Sequence, residues 1–182
     1  MSRIPTPASI ETAPEAAQKS LETVNKLLGS VPNMFRIIAN SPKTLEGYLN
    51  LNSALSNGSL NAQTRERIAL AVAEINGCNY CLAAHRYLGI NLAGLSEDEI
   101  EANRCGSSGD AKAAVAVEFA AQITRHRGKV SESDLQTVRT AGYSDAEIVE
   151  IVGHVAVNTL TNYMNEVLGT EIDFPTVRTM VA

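Results

Sequence analysis

Between Thr64 and Gly89 the chain reads TRERIALAVAEINGCNYCLAAHRYLG, two runs of helical apolar spacing broken once, at Asn76-Gly77. That break decides what the segment can become. On one continuous helix Glu66 would sit about 18 Å from Cys78 at 1.5 Å per residue, and off its face. If the chain reverses at Asn76-Gly77, two helices run antiparallel and Glu66 comes nearly level with His85. On the second helix Cys78, Cys81 and His85 fall at i, i+3 and i+7, within roughly 60° of one another. The same turn places Cys78 in a first helical turn, where the helix N-terminus stabilises a thiolate.

Glu66, Cys78, Cys81 and His85 thus form the pattern E-x11-C-x2-C-x3-H. Two thiols three residues apart can join as a disulfide. A histidine one turn on can take a proton from a thiol, and a carboxylate can orient and charge-balance that histidine. Together they are the parts of a redox-active dithiol with its own proton relay.

The rest of the chain reads as helix. Apolar spacing predicts helices from about Ala13 to Leu28, through Met34 to Ile38, from Ser41-Pro42 to near Asn57-Gly58, and from about Asn61 to Ile75. A helix from near Cys78 is expected to end at Gly89. Ser96 and Glu99 suggest a capping box, Asp110 caps a helix to about His126, and Ser131 and Ser144 open two more, the last running toward Gly169. No alternating strand pattern occurs. The expected class is all-α, with about eight or nine helices and a central helical hairpin carrying the CxxC motif. Residues 1–12 read as a flexible arm and 13–182 as a single domain. A faint echo links Gln63–His85 with Asp145–Met164, each apolar and interrupted near an asparagine (Asn76, Asn158).

Composition narrows the function. Hydrophobic residues make up 45% of the chain, aromatics only 4%, and tryptophan is absent, which favours close-packed helices built on small side chains. A net charge of −5 argues against nucleic acid or an anionic membrane as partner. No apolar stretch reaches the length of a membrane span, and the N-terminus lacks the apolar core of a secretory signal. Three cysteines, two of them locally paired, point to a reducing compartment, so the expected location is cytoplasmic.

The stretch Glu66, Asn76-Gly77-Cys78, Tyr80-Cys81 and Ala84-His85 resembles the signature of the alkylhydroperoxidase AhpD-like, or carboxymuconolactone decarboxylase-like, family. Val31-Pro32-Asn33-Met34-Phe35, Asn162-Tyr163-Met164-Asn165 and Gly169-Thr170-Glu171-Ile172-Asp173-Phe174-Pro175 are similar to its peroxidase-related subgroup. The resemblance implies a helical fold, a symmetric homo-oligomer (trimer or hexamer) and thiol-dependent reduction of hydroperoxides. The leading reading of the residues calls for no metal or organic cofactor. One departure stands out: some members carry a histidine between the cysteines, and here that interval is Asn79-Tyr80. Decarboxylases and lactone-processing members lack the cysteine pair.

The resulting expectation is a hydroperoxide-reducing enzyme. Glu66 orients His85, and His85 deprotonates the attacking thiol. A Cys78–Cys81 disulfide forms, and an external dithiol reduces it. Proximity to His85 favours Cys81 as the attacking thiol, with Cys78 the resolving and more exposed one, although the helix N-terminus would activate Cys78 instead. The alternatives are an oligomeric redox sensor or scaffold without turnover, and a lyase acting on a small acid or lactone through Glu66 and His85. A zinc site with Cys105 or His154 as fourth ligand is a further rival, while haem attachment is excluded by Leu82 after the second cysteine. Tyr80 reads as a core or pocket aromatic, with a donor hydroxyl as the lesser alternative, His126 as a surface residue, His154 as a satisfied core histidine ahead of one that lines a pocket or subunit interface, Cys105 as incidental and Glu118 as a candidate for burial.

Overall fold

The structure, a computed structural model, describes residues 2–180. Among them nine α-helices and no strand are found: α1 (Glu15–Leu28), α2 (Asn33–Ile38), α3 (Pro42–Ser56), α4 (Ala62–Ile75), α5 (Asn79–Asn91), α6 (Glu97–Arg104), α7 (Ala111–His126), α8 (Glu132–Thr140) and α9 (Asp145–Leu168). The all-α class and the helical hairpin are as expected. Local chemistry sets the helix ends. Ser41, Asn61, Ser96, Asp110, Ser131 and Ser144 each accept the N–H three residues on, so one orphan donor of the following helix is satisfied. Gly29 and Gly169 close α1 and α9 in the left-handed region, at φ 75° and 62°.

Helix α4 is the hub. Every residue from Ile68 to Glu74 is buried, and the helix packs against α5, α6, α7 and α9. A surface helix shows one apolar stripe; α4 is covered all round, and its alanines let neighbours come close. Glu74 survives inside because the Arg104 Nε lies 2.9 Å from its carboxylate. One apolar cluster joins Leu21, Ile37, Leu45, Leu82 and Ile100 on the α1–α6 side. Another joins Ile68, Val72, Phe119, Val138 and Ile151 among α4 and α7–α9.

Four details differ from expectation. Helix α5 runs through Gly89 to Asn91; a Cβ on Gly89 would meet the Ile100 Cδ1 at 3.0 Å, so this glycine serves close approach to α6 and does not end the helix. Ser96 caps α6, but the Glu99 side chain does not return the bond and instead joins Arg67, Asn103, Ser108 and Gly109. The segment echoing the hairpin is one unbroken helix, α9, in which Asn158 donates to the His154 carbonyl. Glu118 is exposed.

The described residues before α1 and after α9 pack across the helices without helical structure of their own. Arg3 N–H donates to the Leu168 carbonyl at 2.7 Å, and the Asn40 amide to the Pro5 carbonyl at 2.8 Å. No helix among the described residues is long and apolar enough to cross a membrane.

Candidate active site

The hairpin is held in register along its length. Cys78 N–H donates to the Ala73 carbonyl at the turn, and the Gln63 amide reaches the Ala93 carbonyl at the open end. Gly77, at φ 70°, supplies the left-handed residue that the reversal needs. Midway, Glu66 Oε2 lies 2.8 Å from His85 Nδ1. The carboxylate and imidazole predicted to meet do so directly.

Cys78 is the N-cap of α5, its Sγ accepting the Cys81 N–H at 3.3 Å, where serine or aspartate commonly stands. Both thiols are buried and free, at 0% and 2% exposure, so Cys78 is not the more exposed of the two. The two sulfurs titrate in opposite directions. Cys78 is pushed up, first by its hydrogen bond to Cys81 and then by burial. Burial alone would raise Cys81 too. The Cys78 thiol, the charge of His85 and the amides of Asn165 and Asn162 overcome that and bring it to about 7. The Cys81 N–H at the helix terminus lowers Cys78, but burial and the neighbouring thiol outweigh it. His85 is depressed by burial but raised overall, chiefly by Glu66. The charges of Cys81 and His85 favour each other.

Beside them lies a cavity of about 610 Å³. Cys81, His85 and Glu66 line it; Cys78 does not. Five aromatic side chains, Phe35, Tyr48, Tyr80, Tyr87 and Phe174, stand among its aliphatic and polar walls. Two sequence stretches singled out above meet here. Asn33 N–H donates to Asp173 Oδ2 at 2.7 Å, and the Asn33 amide to the Glu171 carbonyl at 2.9 Å. Tyr80 ties both to the hairpin: its hydroxyl donates to Asp173 Oδ1 at 2.8 Å and accepts the Met34 N–H at 3.1 Å. Phe174 stacks edge-on against Tyr80. Tyr80 is thus a pocket residue and an anchor at once. Further along, Thr179 N–H donates to Asn79 Oδ1 and Arg104 to the Arg178 carbonyl, so the C-terminal chain lies across the hairpin turn.

His154 lines the cavity as well, and its buried Nε2 has no partner among the described residues, contrary to the reading of a satisfied core histidine. His126 and Cys105 are exposed. Among the described residues no three His, Cys, Asp or Glu side chains gather as a metal site would require. Asn162 and Asn165 were not picked out individually by sequence. Asn165 Nδ2 donates to Cys81 Sγ at 3.1 Å, across 84 residues of chain. Only their place in a subgroup-like stretch hinted at them.

The sequence profile of the Carboxymuconolactone decarboxylase family matches residues 42–122, a span that contains the whole hairpin. Among solved structures, the AhpD core of an uncharacterized peroxidase-related protein from Ralstonia eutropha JMP134 is similar at 25% identity, covering 94% of this chain and 92% of that one, with a TM-score of 0.84. An uncharacterized peroxidase-related protein from Silicibacter sp. TM1040 is similar at 28% identity, covering 93% and 92%, with a TM-score of 0.79. The fold is also shared with the debrominase Bmp8, as a cysteine-to-alanine variant in complex with 2,3,4-tribromopyrrole, at 16% identity, covering 95% and 94%, with a TM-score of 0.79. No curated protein matches the chain.

Proposed function

We propose, given that this chain belongs to the AhpD-like, carboxymuconolactone decarboxylase-like family, that it is a dithiol peroxidase reducing organic hydroperoxides. One observation carries the reading: the thiol that faces the cavity, Cys81, is also the one held toward its anion, next to a histidine already paired with a carboxylate.

In the proposed cycle the Cys81 proton passes to His85, whose charge Glu66 balances. The thiolate attacks the outer peroxide oxygen. An S–O bond forms, the O–O bond breaks, and His85 returns the proton to the departing alkoxide, which leaves as an alcohol. Cys81 is now a sulfenic acid. Cys78 displaces its hydroxyl as water, giving the Cys78–Cys81 disulfide. An external dithiol reduces that bond and leaves oxidised itself. No metal or organic cofactor takes part. The apolar stripe on the outer face of α9 supports assembly as a closed homo-oligomer, a trimer or hexamer.

The five aromatic side chains in the cavity favour a second reading, reductive dehalogenation of an aromatic ring. There Cys81 would take the halogen from the protonated ring, and Cys78 would release it as halide in forming the same disulfide. A single experiment separates the readings. Reduced protein is mixed with hydrogen peroxide, cumene hydroperoxide or tribromopyrrole, and thiols, alcohol and bromide are counted. The peroxidase reading expects one alcohol per disulfide from the organic hydroperoxide, with both Cys78→Ser and Cys81→Ser losing turnover. Bromide release without peroxide consumption would replace it with dehalogenation. Full turnover by the cysteine variants would overturn both.

A further inference from the structure

Helix α9 turns a polar face inward. His154, Asn158, Thr161, Asn162 and Asn165 are all buried on it, toward the hairpin. A buried amide that is purely structural has both ends partnered. Two of these do not. Asn162 is fully buried, its Oδ1 accepts from Asn76 Nδ2 at 2.8 Å, and its Nδ2 has no partner among the described residues. Asn165, one turn on, donates its Nδ2 to Cys81 Sγ, and its Oδ1 is unpartnered. Each unpaired buried position costs about 1–3 kcal/mol, so packing alone does not account for them.

We propose that Asn162 and Asn165 form an amide cradle for Cys81, which holds Sγ as the thiolate and then the oxygen of its sulfenic acid. Asn165 already touches the sulfur. With its oxygen tied to Asn76, Asn162 can offer only N–H in the remaining direction. Two N–H donors stabilise an anionic sulfur far more than a neutral thiol, which already carries its proton. After attack on the peroxide, the new S–O oxygen is a strong acceptor, and the unpartnered Asn162 Nδ2 is the donor left for it. Both amides lower the Cys81 thiol, Asn165 through its hydrogen bond to Sγ and Asn162 from close by without one in this geometry, in agreement with this placement. Asn76, which ends α4 at the hairpin turn, is a positioning residue: it aligns Asn162 without touching the sulfur.

This inference rests on Cys81 being the attacking thiol, but its first test needs no peroxide. Iodoacetamide alkylation of the intact reduced protein is followed against pH, with the Cys81 peptide quantified by mass analysis. Wild type should show a midpoint near 7; a midpoint near 9 would instead sink the activated-thiol reading of the preceding subsection. Asn162→Ala and Asn165→Ala should each raise the midpoint by about one unit, about a tenfold loss of alkylation rate well below it. The near-isosteric Asn162→Asp and Asn165→Asp should raise it further. Asn76→Ala should raise it in the same direction by less. An unchanged midpoint in folded Asn162 variants overturns the cradle, whatever Asn165 does. A second measurement avoids these variants altogether. In Cys78→Ser protein treated with cumene hydroperoxide, the sulfenic oxygen should lie within hydrogen-bond distance of Asn162 Nδ2 in the crystal. An oxygen pointing into the cavity, away from Asn162, overturns the proposal.

Discussion

Glu66 Oε2 and His85 Nδ1 stand 2.8 Å apart across 19 residues of chain that reverse once, at Asn76-Gly77. The pair is a quarter exposed at most, with 22% and 21% of the side chains open, so it meets the cavity and is not sealed off from it. Removing the carboxylate should strip His85 of its raised proton affinity. Glu66→Gln is expected to slow oxidation of Cys81 by cumene hydroperoxide on the order of 10²–10⁴-fold, with the helical spectrum unchanged. Stopped-flow thiol oxidation reads this directly, and an unchanged rate would remove Glu66 from the relay.

A second carboxylate predicts a pH dependence of stability. Burial alone would raise Glu99, but Ser108, Asn103, Gly109 and Arg67 all hydrogen-bond to it and hold it at about 2 against an ordinary 4.5. A depressed carboxylate stabilises the fold above its unfolded pKa, and that contribution is lost as pH falls through the folded value. Its window is therefore about pH 4.5 down to 2. Denaturant titrations should show stability lost across it, and Glu99→Gln should flatten that slope while being less stable at pH 7. An equal slope in the variant would show that another group carries the acid transition.

Asp173 joins three parts of the cavity wall, so its loss should be felt in both stability and binding. Asp173→Ala leaves the Tyr80 hydroxyl and the first N–H of α2 without their acceptor. We expect a loss of about 1–2 kcal/mol in thermal or chemical melts. KM for a bulky hydroperoxide should rise while the rate with hydrogen peroxide changes little, since Phe174 would no longer be pinned against Tyr80. Equal loss with both peroxides would point to damage at Cys81 instead.

Assembly is testable on α9 alone. Val149, Val152, Leu160, Tyr163 and Val167 are exposed along one face of it. Val149→Lys with Tyr163→Lys should shift the sedimentation coefficient to that of a monomer. Wild type that already sediments as a 19.4 kDa monomer at all concentrations would reject the oligomer.

The hairpin was legible because its signals are local. Asn76-Gly77 marks the turn, and Glu66 and His85 are placed by counting from it. The caps at Ser41, Asp110 and Ser144 were legible for the same reason. The asparagines on α9 were not, since an asparagine inside a helix obeys no spacing that says what it will face. Nor was the Asp173 anchor, whose partners lie 93 and 140 residues away on an extended segment without periodicity. The relative exposure of the cysteines was misjudged because position in a first turn does not tell what lies over it. Thr179 and Arg178, which bond to Asn79 and Arg104 beside the turn, arrive from the far end of the chain.

Helix α9 buries His154, Asn158, Thr161, Asn162 and Asn165 beside Ile151 and Val155, and exposes Val149, Val152, Leu160, Tyr163 and Val167 about opposite those polar residues at 100° per residue. Engineering for ruggedness would push both faces the other way. Asn162 and Asn165 would become leucines to fill the interior, and Val149 and Tyr163 would become lysines to please water. The first change removes the donors at Cys81, and the second removes the surface on which copies meet. Thermal tolerance and reactivity are thus set against each other along a single helix, and selection for one should be visible as decline in the other.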